Sequence, residues 1–266
     1  MKIKTYIILL LGAISLTACE KQIDIDFHST TPLYAIEGWI TPYETIVRVS
    51  MTKNMEDTTS VSNINNAVVT ITDEDGNSYT VPYTEKDLYQ TSDDHGEPGK
   101  TYRLDVTIDG NHFSSTSTMY GMPTIASFRL VWKDMMSERY IFGDVRIKDI
   151  PNEVNYYYIH IYRNGIPYRS AVLKDDTNPG KELQQLFAFN KEGSTEYNAL
   201  KEGDELEADV RTIDERSYDY LYSLLQMDNT GTNPIANFTG GCLGYFSAFS
   251  IVGRGIEYHE AEIEEE

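Results

Sequence analysis

The sequence predicts an all-β, mostly antiparallel protein with two β-sandwich-like domains. The N-terminal one reads as immunoglobulin- or transthyretin-like, and the C-terminal one carries a single inserted helix. Three observations predict this class. Short runs rich in Val, Ile, Thr and Tyr alternate apolar with polar residues, as half-buried strands do. Asp-Gly and Asn-Gly dipeptides punctuate them where tight hairpins need residues at positive φ. Helical spacing is confined to one segment. The composition fits a packed fold, because 40% hydrophobic residues in a chain of 266 suffice for a core. Collagen-like and disordered classes are excluded by 18 Gly, 9 Pro and 12% aromatics.

The chain opens with an address. Lys2 and Lys4 precede an apolar run from Tyr6 to Leu16, which suits a signal peptide and is too short to span a bilayer. Leu16-Thr17-Ala18-Cys19 then resembles the bacterial lipobox. That resemblance implies cleavage before Cys19 and acylation of its thiol and amine with chains such as palmitate. Two or three acyl chains hold a protein at a membrane where one is marginal. Residues 1–18 are read as the lipoprotein signal peptide and 19–31 as a polar tether. With Cys19 lipidated, Cys242 is left as a buried free thiol.

The first sandwich is expected over 32–121. Its strands are Leu33 to Ile40, Thr45 to Met51, Val68 to Thr72, Ser78 to Pro82, Leu88 to Gln90, Thr101 to Ile108 and His112 to Thr118. Asp73 to Asn77 makes the clearest hairpin, and Asp109-Gly110-Asn111 makes another. Met122-Pro123-Thr124 marks the boundary with the second sandwich, expected over 122–256. Strands there are read at Ile125 to Trp132, Ile141 to Ile147, Asn155 to Arg163, Ile166 to Leu173, Leu183 to Asn190 and Glu205 to Thr212. In the Asn155 run, Tyr156 and Tyr158 share one face and Tyr157 takes the other.

The helix is expected near 213–227. Thr212 and Glu215 fit a capping box, and Tyr218, Leu221, Tyr222 and Leu225 form an apolar stripe read as packing on the second sandwich. Gly240 to Ser250 is a glycine-opened strand read as closing that sandwich. Residues 257–266, with six Glu, are read as a solvated acidic tail.

Charge narrows the function. With 42 acidic against 22 basic residues and a net charge of −20, the surface repels phosphates, so no nucleic-acid partner is expected. The same charge argues against docking on anionic lipid through a basic face. Catalytic signatures are weak. Ser50 and Lys53 match Ser-x-x-Lys, but they continue a strand and so fall on opposite faces rather than one helical turn apart. Gly99-Lys100-Thr101 lacks the earlier glycine of a phosphate loop, where Asp94 stands. His28, His95, His112, His160 and His259 have no ligand spacing. Asp73 and Asp75 are weak Ca²⁺ candidates in a run that lacks the later bidentate Glu of a calcium loop. No cofactor is expected. Thr58, in Asp57-Thr58-Thr59, fits a short O-glycosylation pattern. The 20 Tyr offer amphipathic rings suited to glycan or peptide contact.

Several stretches together carry a resemblance. They are the lipobox Cys19, Ile36-Glu37-Gly38-Trp39-Ile40, Gly96-x-x-Gly99-x-x-Tyr102-x-Leu104 and Asn155-Tyr156-Tyr157. The longest is Asn233-Pro234-x-x-Asn237-x-x-Gly240-Gly241-x-Leu243-Gly244-Tyr245-Phe246. Over nearly the whole mature chain, the sequence resembles a Bacteroidota lipoprotein family known as domain of unknown function 4249. The resemblance implies a cell-envelope β protein, often encoded beside TonB-dependent outer-membrane transporters, with no catalytic residue to carry over. Residues Asn233 to Phe246 of that motif are read as structural.

The expected function is therefore a lipid-anchored accessory, ligand-binding or scaffolding, to an outer-membrane TonB-dependent uptake system. It is read as not an enzyme, in the outer membrane, with the surface-exposed leaflet favoured over the periplasm-facing one. A structural or adhesive surface protein of fimbrial type is the alternative, and a hydrolase is ranked behind both.

Overall fold

Alternation of buried and exposed side chains builds four sheets in the computed structural model, which describes residues 31–53, 64–150, 154–175, 182–194, 199–227 and 231–265. The signal peptide, Cys19, most of the tether and Thr58 lie outside the described residues.

The first sandwich uses β1 (Tyr34–Ile40), β2 (Thr45–Met51), β3 (Val68–Asp73), β4 (Ser78–Thr80), β5 (Tyr83–Glu85), β6 (Leu88–Thr91), β7 (Thr101–Ile108) and β8 (Asn111–Thr118). The second uses β9 (Ile125–Met135), β10 (Glu138–Ile147), β11 (Tyr156–Arg163), β12 (Ile166–Lys174), β13 (Leu183–Lys191) and β14 (Glu205–Ile213). Helix α1 (Glu215–Leu225) follows, then β15 (Leu243–Ala248), β16 (Ser250–Glu257), a 3-10 turn (Glu260–Glu262) and β17 (Glu264–Glu265).

Sheet orders are β15-β1-β2-β6-β5 facing β4-β3-β7-β8, and β13-β10-β9-β17 facing β12-β11-β14-β16. Pairing is antiparallel except β1–β15 and β9–β17. The all-β sandwich class read from the sequence is what the chain adopts.

Each sandwich has its own core. Ile36, Val47, Val69, Leu104 and Val106 fill the first; Phe128, Val145, Tyr157, Ile159 and Val210 fill the second. Four two-residue turns carry both central residues at positive φ, as a hairpin with right-handed twist requires. Asp109-Gly110 and Asn164-Gly165 are readable as such, whereas Lys86-Asp87 and Met136-Ser137 carry no such signature.

The largest departure from expectation is β15. The Gly240 to Phe246 stretch does not close the second sandwich. It returns to the first and pairs in parallel with β1, Ala35 opposite Leu243 through Ile40 opposite Ala248. Phe238, Cys242, Phe246 and Ala248 join the first core. Burial pushes the Cys242 thiol up to about 11, so it stays protonated and unreactive. A parallel partner 208 residues along the chain leaves no local trace in the sequence.

The helix also differs. Its N-cap is Asp214, not Thr212: Ser217 N–H donates to Asp214 Oδ1 at 2.8 Å, while Oδ2 accepts from Thr118 N–H at 3.0 Å. The Thr212 hydroxyl instead donates to the Gly121 carbonyl at 2.7 Å. The buried face is Ser217, Tyr220 and Leu221, which leaves Tyr222, Leu224 and Leu225 exposed. The stripe is thus rotated from the one expected, because β15 as well as the second sandwich packs on the helix.

Residues 257–265 are only in part a solvated tail. Their glutamates are exposed, but Tyr258 is buried and β17 pairs along β9.

Asn237 holds this arrangement. The Ser115 hydroxyl donates to its Oδ1 at 2.6 Å, the Phe246 N–H donates to the same oxygen at 2.9 Å, and its Nδ2 donates to the Arg216 carbonyl at 3.4 Å. Truncation strands the buried Phe246 amide, at roughly 1–3 kcal/mol, while the Ser115 hydroxyl keeps the Asn237 backbone carbonyl at 3.0 Å. Asn237→Ala is expected to lower unfolding free energy by about 2 kcal/mol in urea titrations, with Asn237→Asp between it and the native chain.

Candidate binding face and the family motif

The Asn233 to Phe246 motif is the natural first candidate for a site, and its geometry is structural. Gly244 has φ +101°, and a Cβ there would lie 1.9 Å from the Ile36 carbonyl oxygen, so only glycine lets β15 close on β1. Gly240, at φ +96°, would bring a Cβ within 2.4 Å of the His112 carbonyl oxygen, beside the bridge between Thr239 and Ser114. Gly241, also at positive φ, faces open space. Leu243 is half-buried, Phe246 is fully buried in the first core and Asn233 is exposed, with Pro234 leading the loop back to Asn237.

Tyr245 points the other way. It stacks on Tyr220 of α1, with centroids 4.9 Å apart and planes 17° apart, in a third cluster that includes Trp39, Tyr156, Tyr158, Ile213 and Phe249. This cluster covers one end of the outer face of β12-β11-β14-β16. Within it the Tyr156 hydroxyl donates to Glu215 at 2.8 Å, and burial followed by that carboxylate pushes the phenol up to about 12.

Among the described residues, nothing covers the other end of the same face. Strand register there places Ser170, His160, Asp209 and Gly253 in one row across four strands, and the neighbouring row of Val172, Tyr158, Arg211 and Ile251 borders the covering cluster. Along β11 the side chains Tyr158, His160 and Tyr162 form a ladder. His160 stacks on Tyr162 at 4.5 Å and 15°, and lies edge-on to Tyr158 at 5.8 Å. The Arg211 guanidinium sits 5.4 Å from the Tyr158 ring and 4.8 Å from Phe249, and a terminal nitrogen reaches the Tyr162 hydroxyl at 3.5 Å. Its Nε is buried without a hydrogen-bond partner.

Burial, then the Arg211 charge, pulls His160 below its ordinary value of 6.5, so the ladder is neutral at pH 7. Burial raises Asp209, with Glu207 adding to the effect and Arg211 opposing it. A Cβ at Gly253 would stand 2.9 Å from Glu207 Oε1 and 3.1 Å from Asp209 Oδ1, the ends of side chains that can shift to admit it. An open cleft of about 470 Å³ continues the face past Gly165, Glu205, Glu207, Gly255 and Glu257.

The Ser170–His160–Asp209 row has the residue types of an acyl-transfer triad. No hydrogen bond joins the three, and the imidazole is committed to Tyr162. What the face offers is contact chemistry: ring edges, hydroxyls, one guanidinium and a border of carboxylates.

The family model described as domain of unknown function (DUF4249) matches residues 20–252. The chain belongs to that family. No curated protein matches it. The Asn237–Phe246 closure and, of the open face, Tyr158, His160, Tyr162, Asp209 and Arg211 fall inside the DUF4249 span, while Gly253 lies one residue past it.

Other residues singled out in the sequence fall elsewhere. Asp73 caps its hairpin turn, accepting from Asp75 N–H, Asn77 N–H and Asn77 Nδ2, and Lys100 stands 3.7 Å from Asp75 and 4.0 Å from Asp73. These carboxylates are already matched by a cation and by backbone donors. Among the described residues, no three His, Cys, Asp or Glu side chains are grouped to hold a metal. The Ser50 hydroxyl donates to the Ala35 carbonyl at 3.4 Å. His95 is exposed, His112 contacts Asp105, and His28 lies outside the described residues. Arg211 and Glu207 were not singled out from sequence. Their one signal is their place on a strand facing Tyr158 and Tyr162, which needs the register to be known.

The His160 shift has a measurable sign. A lowered folded pKa means stability present above the unfolded value and lost as pH falls through the folded one. The urea midpoint is expected to drop from pH 7 to pH 5, and His160→Phe, which keeps a ring in the stack, should flatten that drop.

Proposed function

We propose that this DUF4249 chain is a lipid-anchored, non-catalytic cell-envelope protein. It serves as a binding or scaffolding accessory to a TonB-dependent outer-membrane nutrient transporter and contacts its partner through the open face around Tyr158, His160, Tyr162 and Arg211. Cys19 is the anchor, and the surface-exposed leaflet is its favoured location.

One observation carries the contact surface. Among the described residues one end of this sheet face is left open, and it holds the His160–Tyr162 stack with the Arg211 guanidinium reaching the Tyr162 hydroxyl. Tyr and Arg at the centre of an interface supply contact area at small entropic cost. The lipobox supports the anchor, and the net charge of −20 keeps the body off other anionic surfaces.

A second reading, a structural or adhesive surface protein, draws on a different feature. The C-terminal strand β17 holds its sheet edge through only two residue pairs, a weak closure of the kind that strand exchange uses.

The test is a pull-down from detergent-solubilised outer membrane with tagged native, Cys19→Ser and Tyr162→Ala forms. The account expects a TonB-dependent transporter with the native form and loss of that partner with Cys19→Ser. Tyr162→Ala should weaken capture roughly 30-fold, the equivalent of about 2 kcal/mol. Recovery of the chain alone, or equal capture by Tyr162→Ala, contradicts it.

A further inference from the structure

The C-terminal segment crosses from β16 to β9 and closes the open seam of the second sandwich. Tyr258 is buried in that core and Ile263 packs against it. Under the crossing lies a cleft of about 160 Å³ whose walls include Phe128, Leu130, Ile256 and Ile263. Glu264 lies opposite Val131 and Glu265 opposite Trp132, in parallel. Two ion pairs fix this register, Arg129 with Glu264 and Arg139 with Glu265. Thus a basic edge in a strongly acidic protein is matched to its acidic end.

The match is loosely held. β9 is 11 residues long and, among the described residues, its outer edge is paired at two. The turn leading into β17 sets His259 between two carboxylates, with Nδ1 2.7 Å from Glu202 and Nε2 3.3 Å from Glu257, and Glu262 nearby. Straightening residues 259–263 separates these like charges. It also leaves Ile263, Glu264 and Glu265 free to make the same contacts on another copy.

We propose that the β9 edge is a strand-docking site for the C-terminal segment of a second copy of this chain, giving a reciprocal strand-exchanged dimer. The exchanged form keeps every contact of Ile263, Glu264 and Glu265, so only hinge geometry and the entropy of association separate it from the closed monomer. The inference stands apart from the transporter reading, because the β9 edge shares no residue with the face around Tyr162.

Two full-length copies test it, one carrying Val131→Cys and the other Glu264→Cys, mixed at high concentration and oxidised. Exchange gives a disulfide-linked heterodimer at least tenfold more abundant than when Thr107→Cys, on the first sandwich, replaces Glu264→Cys. Adding Arg139→Glu, which leaves the Arg129–Asp144 pair in place, should reduce it at least fivefold. Internal closure in a single chain bearing both cysteines, with no cross-link between mixed copies, overturns the proposal. A cysteine-free check deletes Glu260 to Glu262, so that the segment no longer reaches its own β9. Light scattering should then give twice the monomer mass, and a folded monomer overturns the proposal.

Discussion

The parallel pairing of β15 with β1 is the constraint on which the rest of the molecule depends. It requires Gly244, because the strand approaches the Ile36 carbonyl too closely for any side chain. It also requires Asn237, whose carboxamide satisfies the Phe246 amide and the Ser115 hydroxyl in a place water does not reach. Once β15 is seated, Phe246 faces the first core and Tyr245 faces α1, so one strand serves two clusters. Alternation along a strand makes that possible.

The crossing between sandwiches is fixed by the same region. Asp214 caps α1 with one oxygen and holds the Thr118 amide with the other, and the Thr212 and Ser250 hydroxyls reach the carbonyls of Gly121 and Tyr120. The connecting segment is therefore bonded to the second sandwich instead of spanning open solvent. Charge inside that sandwich is handled locally. Burial alone would raise Asp144, but Gln184, Arg146 and Arg129 hold it below the usual carboxylate range. Covering one end of the β12-β11-β14-β16 face with α1 and β15 leaves the other end open among the described residues. The candidate surface is thus a consequence of the closure.

What the sequence made legible was local. Strands such as Thr101–Ile108 and Thr45–Met51 alternate cleanly, and Asp109-Gly110 and Asn164-Gly165 announce their turns. Lys86-Asp87 and Met136-Ser137 adopt the same positive φ without glycine or asparagine, so β5 was missed and the β9–β10 hairpin was read short at its tip. The split of Tyr156 and Tyr158 from Tyr157 followed from strand periodicity and holds, since Tyr157 is fully buried. The contributions of Arg211, Glu207 and Gly253 to that face depend on register between distant strands. The destination of Gly240 to Phe246 depends on a partner near the other end of the chain. Neither leaves a local pattern to read.

The central claim is that the first sandwich is incomplete without β15, and expressing residues 32–121 alone tests it most directly. The account predicts no cooperative urea transition for this fragment, because Ile36, Phe113 and their neighbours lose the cover of Phe238, Phe246 and Ala248. A fragment that unfolds cooperatively with the midpoint of the full chain would contradict it.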